Sequence, residues 1–368
     1  MPKYFIIAGE ASGDLHASNL VRELKKTDPS VVFTGIGGNR MKEQGVNIVF
    51  DSGKIAFMGF AEVFLHLPII FKALRLCKKE LLDFQPDAVI LVDYPGFNLK
   101  IASFAKKHHF KVIYYILPQI WAWKARRVFK LKKLVDLLIC ILPFEPDFYT
   151  KFNVKAFYCG HPLVSLVSEF QPDISFSERY KDKKVVAVLP GSRKQEVSEI
   201  LPVLYPVFRL FPAYHFVIAA TSNLSPSCYQ LPEDIPNAEV VFDKSYDILH
   251  LAEAGIITSG TATLETALFN VPMMVCYKTS GLTYYISKQL IKVKYISLVN
   301  LINQEQTVKE LIQHNFNPEE IKNELEKLLF DEKYRNEMKM AFQKLRDSLG
   351  SGSASQKAAA IISGSFHA

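Results

Sequence analysis

Cysteine is scarce in this chain, and its spacing suits neither a disulfide framework nor a metal site. The five cysteines among 368 residues are scattered, odd in number and never spaced as C-x-x-C. His161, in "CGHPL", has no second His or Cys at metal-ligand spacing. Scattered thiols are typical of a reducing compartment. We therefore expect buried thiols, a structural role for His161, no protein-bound metal and no other cofactor.

Long apolar runs are also missing. No stretch reaches the roughly 18 uninterrupted apolar residues of a membrane-spanning helix. The apolar run at residues 4–7 is shorter than the core of a signal peptide. These absences predict a cytoplasmic protein and leave contact with a membrane surface open.

Sequence signatures of several common chemistries are absent. The chain has no G-x-S-x-G nucleophile elbow and no Walker lysine. It also lacks a nucleic-acid recognition motif, and its net charge of +7 is too diffuse to indicate such a partner. We therefore expect no nucleic-acid partner. The mild positive excess suits a nucleotide, a phosphorylated substrate or an anionic membrane surface.

What the chain does have is an alternation of short apolar runs with amphipathic helical stretches, which starts again near Lys184. This pattern predicts an α/β fold of two Rossmann-like, doubly wound domains facing a cleft. We place an N-terminal domain at 1–165, a second at 166–345 and a tail at 346–368. The tail helix is expected to pack on the N-terminal domain or to swap to a partner chain.

The segment "VAVLPGSRKQEV" is the best candidate for an anion site. A strand ends at Pro190 and a helix follows, so free backbone N–H groups face the turn. Gly191 permits close approach, Ser192 offers a hydroxyl or a helix cap, and Arg193 adds a forked cation. A pyrophosphate fits this combination. The alternative is an ordinary helix start with a surface arginine.

The segment "SGTATLETALF" has the same strand–turn–helix pattern. Gly260 turns the chain, Thr261 and Thr263 offer hydroxyls, and Glu265 is expected in the first helical turn. A carboxylate there can accept hydrogen bonds from both hydroxyls of a ribose. A capping box that uses Glu265 is an equally good interpretation.

Two stretches place carboxylates after strands of the first half. In "AVILVDYPGFN", Asp93 follows a fully apolar strand, where burial would raise its pKa and suit a general base. The alternative is an Asp that caps a turn. In "GEASGD", Glu10 and Asp14 would repel a phosphate, so this glycine turn fits a hydroxyl-bearing ligand better.

Two further segments carry open alternatives. "LPQIWAWKARRVFKLKK" places Gln119 and both tryptophans before a basic stretch, as a ligand wall or as core aromatics with a solvated helix. Residues Lys54–Leu76 are densely apolar but broken by polar residues and a proline. They form either a buried helix pair or an interfacial segment that dips into a bilayer or holds acyl chains.

Seven motifs together carry a family resemblance. "GEASGD", "LVDYPGFN", "LPQIWAWK", "GHPL", "LPGSRKQE", "SGTATLE" and "SLVNLI" occur in the order found in the lipid-A-disaccharide synthase family, which this chain resembles from Ala8 to about Gln313. The chain departs from the family pattern at Val299, where a proline is usual. The resemblance implies the two-domain GT-B architecture.

The resemblance also implies an activity. Enzymes of this family are inverting glycosyltransferases that condense UDP-2,3-diacylglucosamine with 2,3-diacylglucosamine 1-phosphate (lipid X). The implied products are UDP and the β-1,6-linked lipid A disaccharide 1-phosphate. The implied location is peripheral, on the cytoplasmic face of the inner membrane. The sequence leaves the oligomeric state open, with a homodimer as one alternative.

Site residues follow from the same resemblance. It implies Asp93 and Glu10 as catalytic residues, with Asp93 as the general base on the acceptor 6-hydroxyl. Arg193 would neutralise the departing diphosphate, and Glu265 would bind the ribose. The implied substrate-binding set is Ser12, Asp14, Gln119, Gly191, Ser192, Arg193, Ser259, Gly260, Thr261, Thr263, Glu265, Asn300 and Gln313.

Two other functions share the same two-domain scaffold. A UDP-sugar 2-epimerase or a different GT-B transferase would act without this lipid acceptor. A non-catalytic nucleotide-sugar or lipid-binding protein would bind UDP and turn nothing over.

Overall fold

Buried strands of β-branched and aromatic residues form two parallel sheets. A computed structural model describes residues 1–54, 66–123, 125–279, 281 and 293–366, and runs such as Ala88–Val92 are buried along their whole length. Strands covered on both faces by helices bury every side chain, so they show no polar alternation. The chain divides into one unit of Met1–Pro162 with Ser351–Ala368 and another of Leu163–Gly350.

The first unit contains a seven-stranded parallel sheet in the order β3-β2-β1-β4-β5-β6-β7. Its strands are β1 (Lys3–Ala8), β2 (Val32–Gly37), β3 (Asn47–Asp51), β4 (Ala88–Val92), β5 (Lys111–Tyr115), β6 (Leu137–Cys140) and β7 (Ala156–Tyr158). Its helices are α1 (Ala11–Thr27), α2 (Asn39–Glu43), α3 (Leu67–Phe84), α4 (Pro95–Lys107), α5 (Ile120–Trp123), α6 (Val128–Leu134), α7 (Glu145–Thr150) and the C-terminal α16 (Ala354–Gly364).

The second unit contains a six-stranded parallel sheet in the order β10-β9-β8-β11-β12-β13. Its strands are β8 (Lys184–Leu189), β9 (Tyr214–Ala220), β10 (Ala238–Phe242), β11 (Ala252–Thr258), β12 (Met273–Tyr277) and β13 (Glu310–Ile312). Its helices are α8 (Pro162–Ser168), α9 (Ile174–Arg179), α10 (Lys194–Leu210), α11 (Ser245–Leu251), α12 (Thr261–Leu268), α13 (Leu298–Asn303), α14 (Pro318–Phe330) and α15 (Glu332–Ser348).

The core of the first unit lies on both faces of its sheet. On one face Phe5 and Val89 pack with buried residues of α3, α4 and α6. On the other face Ile6 and Ile90 pack with residues of α1 and of the C-terminal helix α16, whose Ile362 is fully buried. The last helix of the chain is therefore part of the same core as the first strand.

The predicted α/β fold of two Rossmann-like sheets is confirmed by the strand orders, which both follow the doubly wound 3-2-1-4-5-6 pattern at their first six positions. The edge strands β3, β7 and β13 were not predicted. They are short, and β7 and β13 have three residues each. Such brief runs give too little periodicity to stand out.

The apolar segment Lys54–Leu76 is described only in part. Residues 55–65, which include Phe57 and Phe64, lie outside the described residues. Its last part forms the start of α3, with Pro68 in the first turn. Within the described part of the chain, no helix is both long and apolar enough to cross a membrane.

The close pairing of β1 with β2 makes a specific demand at Gly35. This glycine pairs with Ile6, and a Cβ there would lie 1.8 Å from the Ile6 carbonyl oxygen. Both groups are backbone atoms of central strands, so neither can move aside. We expect Gly35→Ala to lower the free energy of unfolding in urea by about 3 kcal/mol or more, at or beyond the top of the usual overpacking range.

Gly96→Ala is the matched control. A Cβ at Gly96, in the first turn of α4, would meet no heavy atom within 4 Å. That variant should unfold at the wild-type urea concentration or slightly above it. Wild-type stability of Gly35→Ala would contradict the described β1–β2 pairing.

Candidate active site

The two sheets reverse their strand order at equivalent places, and the residues singled out in the sequence follow those strands. The reversal lies between β1 and β4 in the first unit and between β8 and β11 in the second. In open parallel sheets, ligands bind beyond the carboxyl ends of the strands at such a point. Glu10 and Asp93 follow β1 and β4, whereas Arg193 and Ser259 follow β8 and β11.

Asp93 lies in a strained turn directly after β4. Asp93 and Tyr94 both have a φ of 47°, in the left-handed region that costs an L-residue about 1–2 kcal/mol. Pro95 then begins α4, where its fixed φ suits the first helical turn. The strained pair turns the chain sharply, so Asp93 stands at the end of the strand and begins the turn into the helix.

Three hydrogen bonds from neighbouring side chains and one to a neighbouring strand hold this turn. The Tyr114 hydroxyl donates to the Asp93 carbonyl oxygen at 2.7 Å. The Asn98 amide nitrogen donates to the same oxygen at 2.7 Å and to the Val92 carbonyl at 3.2 Å. The Asp93 N–H donates to the Tyr115 carbonyl at 3.2 Å. The clamp uses only backbone atoms of Asp93 and leaves its carboxylate for other partners.

The environment of the Asp93 carboxyl makes it a better base than an aspartate in water. Burial raises its pKa above the ordinary 3.8, and a hydrogen bond from the Tyr94 backbone N–H offsets only part of that rise. Desolvation disfavours the charged form, so the carboxylate takes up a proton more readily. A fixed backbone and a raised pKa suit the general base predicted from the sequence.

Glu10 lies close to the Asp93 turn. The Tyr94 ring packs so closely on Gly9 that a Cβ at Gly9 would be only 2.1 Å from the ring atom Cδ1. After burial, the charge of Glu10 is the second cause that raises the pKa of Tyr94. Gly9, Glu10, Asp93 and Tyr94 therefore form one group, the acidic corner, at the reversal point of the first sheet.

Asp14, predicted as a substrate contact, is used elsewhere. Its buried carboxylate accepts hydrogen bonds from the backbone N–H groups of Gly38, Arg40 and Met41 at 2.6, 3.1 and 3.3 Å. These groups begin α2, where a carboxylate satisfies free donors and the helix dipole. Asp14 therefore fixes the β2–α2 loop, and its contact with a substrate stays a prediction.

Ser12 and Gln119 are both exposed, the first in the opening turn of α1 and the second in the loop after β5. Ile116, which leads into the Gln119 loop, has a φ of 59°. β-Branched residues rarely adopt such a value. Strained backbone of this kind is common at functional sites. Here it occurs after two neighbouring strands of the first sheet, β4 and β5.

Glu145 is a buried carboxyl that the sequence did not single out. It accepts hydrogen bonds from Trp121 Nε1 at 3.2 Å and from the N–H groups of Ile141 and Leu142 at 3.3 and 3.0 Å. Desolvation raises its pKa to about 7. Trp121 is thereby fixed in a half-buried position, whereas Trp123 is 42% exposed.

His161 is buried, and desolvation lowers its pKa to about 3. It is therefore neutral at physiological pH, as a structural histidine would be. Among the described residues, no group of three or more His, Cys, Asp or Glu side chains could hold a metal ion.

In the second unit, hydrogen-bond donors of the loop after β8 point to the carboxylate of Glu196. Gly191 has a φ of 110°, and a Cβ there would lie 2.3 Å from Glu196 Oε2. That same oxygen accepts hydrogen bonds from the backbone N–H groups of Ser192 and Arg193 at 3.2 and 3.3 Å. The Arg193 guanidinium lies 3.4 Å from Glu196 Oε1. Successive N–H groups beside a cation are the donors that a phosphate needs.

One of the two roles predicted for Ser192 was to cap the helix that follows, and the structure assigns the cap to another residue. Arg193 is the N-cap of α10, and Glu196 completes a capping box with it. Ser192 therefore precedes the cap, so the capping role predicted for it is wrong. Its other predicted role, to offer a hydroxyl to a bound anion, stays a prediction. Arg193 remains largely exposed, with 61% of its side chain accessible.

The capping box considered for Glu265 is wrong. Helix α12 begins at Thr261, its N-cap Gly260 makes no side-chain cap, and Glu265 falls after the first turn. The Glu265 carboxylate instead accepts a hydrogen bond from the Tyr246 hydroxyl at 2.8 Å. Burial raises the pKa of Glu265, and the Tyr246 hydrogen bond opposes that rise.

The hydroxyls near Gly260 do not all face outward. Ser259 donates to the Ile296 carbonyl at 3.0 Å. Thr263 is fully buried and donates to the Gly260 carbonyl at 2.8 Å. Thr261 is exposed at the helix start. Thr263 therefore has a structural hydrogen bond, and the direct contact predicted for it stays a prediction.

Asn300 and Gln313, predicted near the donor, are tied to backbone groups. The buried Asn300 amide donates to the Val308 carbonyl at 2.8 Å and accepts its N–H at 2.9 Å. The Gln313 amide donates to the Thr279 carbonyl at 3.1 Å and accepts a hydrogen bond from the Thr279 N–H at 3.2 Å. Both side chains position loops around β12 and β13, and the direct contact with substrate stays a prediction for each.

Comparison with known proteins identifies strong similarity along almost the whole chain. The model of the family described as lipid-A-disaccharide synthetase matches residues 4–363. A lipid-A-disaccharide synthase of Trichlorobacter lovleyi is 40% identical over 372 residues, 98% of this chain and 96% of the relative. One from Nitrosococcus oceani is 40% identical over 365 residues, 95% and 93% of the two chains.

Solved structures share the fold at much lower identity. A putative UDP-N-acetylglucosamine 2-epimerase from Listeria monocytogenes matches with a TM-score of 0.69 and 13% identity, over 99% of this chain and 96% of that one. The calicheamicin glycosyltransferase CalG4 matches with a TM-score of 0.64 and 18% identity, over 100% and 98%. Both confirm the predicted two-domain architecture.

The raised pKa of Asp93 predicts a stability effect. Because the folded pKa lies above the unfolded 3.8, ionisation of Asp93 opposes folding as the pH rises past that value. We expect Asp93→Asn to raise Tm at pH 7, and the gain to shrink as the pH falls towards 4. Thermal melts across this pH range measure it.

Asp83→Asn is the control, since Asp83 is an exposed carboxylate of the same unit. Its Tm difference from wild type should stay small and show no such trend. A lower Tm for Asp93→Asn at pH 7 would mean that the carboxylate stabilises the fold.

Proposed function

The chain belongs to the lipid-A-disaccharide synthetase family, and on that premise we propose how its residues carry out the family's reaction. As a glycosyltransferase of lipid A biosynthesis, it transfers 2,3-diacylglucosamine from UDP-2,3-diacylglucosamine to lipid X. The products are UDP and the β-1,6-linked disaccharide 1-phosphate, with inversion at the anomeric carbon.

Asp93 is the general base of this displacement. Its carboxylate takes the proton of the acceptor 6-hydroxyl while that oxygen bonds to the anomeric carbon of the donor. The bond from the anomeric carbon to the diphosphate oxygen breaks, and its electron pair leaves with UDP. The observation that carries this assignment is the desolvated carboxyl on a turn whose backbone is clamped by Tyr114 and Asn98.

Arg193 and the loop after β8 receive the charge that develops on the diphosphate. The Ser192 and Arg193 N–H groups and the guanidinium already converge on the Glu196 carboxylate. A diphosphate offers the same acceptor chemistry with more negative charge. Fixed donors of this kind stabilise a leaving group without reorganisation, so Arg193 supports the departure of UDP.

The remaining assignments divide by unit. Glu10, Ser12 and Gln119 belong to the acceptor side, because they follow strands of the sheet that carries Asp93. Gly191, Ser192, Gly260 and Thr261 line the donor side, where Glu265 accepts hydrogen bonds from the ribose hydroxyls. Asp14, Ser259, Thr263, Asn300 and Gln313 hold the loops that carry these groups.

We also propose that one surface of the first unit contacts the membrane that holds both lipid substrates, at its cytoplasmic face. Phe71 on α3 and Phe129 on α6 are 57% and 53% exposed, and α4 packs against both helices. We call this surface the basic-aromatic face. Exposed cations on it or beside it are Lys72, Arg75, Lys100, Arg126, Lys130, Lys132 and Lys133. Aromatic rings among lysines and arginines favour an anionic bilayer surface.

Two variants test the mechanism in one assay, UDP release from UDP-2,3-diacylglucosamine with and without lipid X in detergent. We expect Asp93→Asn to lose about 100-fold or more of kcat, because a general base is removed, while calorimetry shows wild-type UDP affinity. Arg193→Gln should weaken UDP binding about tenfold, because it removes a charge-assisted contact.

Arg179→Gln is the control for Arg193, since it removes an exposed arginine of the same unit that pairs with Glu239. It should bind UDP as wild type does. Near-normal turnover by Asp93→Asn would remove Asp93 as the base, and lipid-X-independent turnover would favour an epimerase.

Phe71→Ser with Phe129→Ser tests the membrane proposal. We expect this double variant to co-sediment several-fold less than wild type with phosphatidylglycerol vesicles, because two exposed rings no longer enter the bilayer interface. Leu67 and Ile70, which lie in the same apolar segment as Phe71, are less exposed than Phe71, and Ile70 packs on the core.

Phe330→Ser is the control, since Phe330 is 63% exposed in the second unit. It should sediment as wild type does. Equal sedimentation of all three proteins, with unchanged thermal melts, would contradict a membrane role for the basic-aromatic face.

A further inference from the structure

Glu265 is held by a single described donor. The Tyr246 hydroxyl, on α11, donates to Glu265 Oε1 at 2.8 Å. Among the residues that the structure describes, no other hydrogen bond to this carboxylate is recorded. The nearby Thr263 hydroxyl is turned to the Gly260 carbonyl. The direction of the Glu265 carboxylate therefore depends on Tyr246.

The Tyr246 ring is itself fixed by two aromatic neighbours. It meets Phe269 edge-on at 5.1 Å between ring centroids and Phe170 at 5.6 Å. Phe170 and Phe269 are also edge-on to each other, at 5.5 Å. Such edge-to-face pairs have a preferred geometry, so the three rings brace one another and aim the hydroxyl at Glu265.

We infer that Tyr246 is a positioning residue that orients Glu265 for the ribose of the UDP-sugar, an inference that rests on the proposed ribose role of Glu265. Each carboxylate oxygen can accept two hydrogen bonds. Oε1 can therefore accept from Tyr246 and from one ribose hydroxyl, while Oε2 accepts from the second. Without the Tyr246 hydroxyl, the carboxylate is free to rotate away from this arrangement.

The test compares UDP with 2′,3′-dideoxy-UDP, which lacks both ribose hydroxyls, as calorimetric ligands for the full chain. We expect Tyr246→Phe to weaken UDP binding about three- to tenfold, the loss of part of a charge-assisted hydrogen bond. Its affinity for dideoxy-UDP should stay within twofold of wild type. In turnover, KM for the donor should rise with little change in kcat.

Tyr334→Phe is the matched control. It also removes a tyrosine hydroxyl that donates to a glutamate of the second unit, Glu324, at 2.6 Å. This variant should bind both nucleotides as wild type does. If Tyr246→Phe melts below the assay temperature, Phe170→Leu serves in its place, because it loosens the ring cluster and keeps the hydroxyl. It should show the same selective loss for UDP.

Glu265→Gln separates the two claims. Selective loss of UDP affinity in Glu265→Gln, without any such loss in Tyr246→Phe, would overturn the role of Tyr246 and leave the ribose assignment standing. If Glu265→Gln binds UDP and dideoxy-UDP as wild type does, the ribose assignment is wrong and the inference fails with it.

Discussion

The hydrogen bonds to the Asp93 carbonyl oxygen set the rest of the first unit's site. Tyr114 from β5 and Asn98 from α4 both donate to that oxygen, so the strained left-handed turn after β4 is fixed from two sides. This turn also places the Tyr94 ring on Gly9, near enough to Glu10 that the Glu10 charge raises the pKa of Tyr94. The clamp engages only the backbone, and burial of the carboxyl raises its pKa.

The two sheets have the same topology and opposite chemistry at their reversal points. The first presents the acidic corner, with two carboxylates, which suits the hydroxyls of an acceptor sugar. The second presents backbone N–H groups and Arg193, which suit a diphosphate. The proposed displacement needs both, since proton removal and leaving-group stabilisation fall to different groups.

Much of this arrangement could be predicted from local sequence, and the limits have physical causes. Apolar runs gave the central strands, and the turn residues after them gave Asp93, Arg193 and Gly191, because strand–turn–helix junctions are local patterns. The hydrogen bonds of Asn300 with Val308 and of Gln313 with Thr279 could not be predicted, because the fold sets them. Sequence reasoning also missed four residues that act through the folded structure. Each contacts a group that is distant in sequence or that the shape of a turn brings close: Tyr114, Asn98, Tyr246 and Glu145.

The pH dependence of kcat/KM for lipid X tests the central claim most directly. A general base must be ionised to act, so activity rises with pH through the pKa of the free enzyme's base. The desolvated Asp93 predicts that this acidic limb lies clearly above the ordinary aspartate value of 3.8, and that the residual activity of Asp93→Asn lacks it. An acidic limb at or below the ordinary value, or one that persists in Asp93→Asn, would contradict the account.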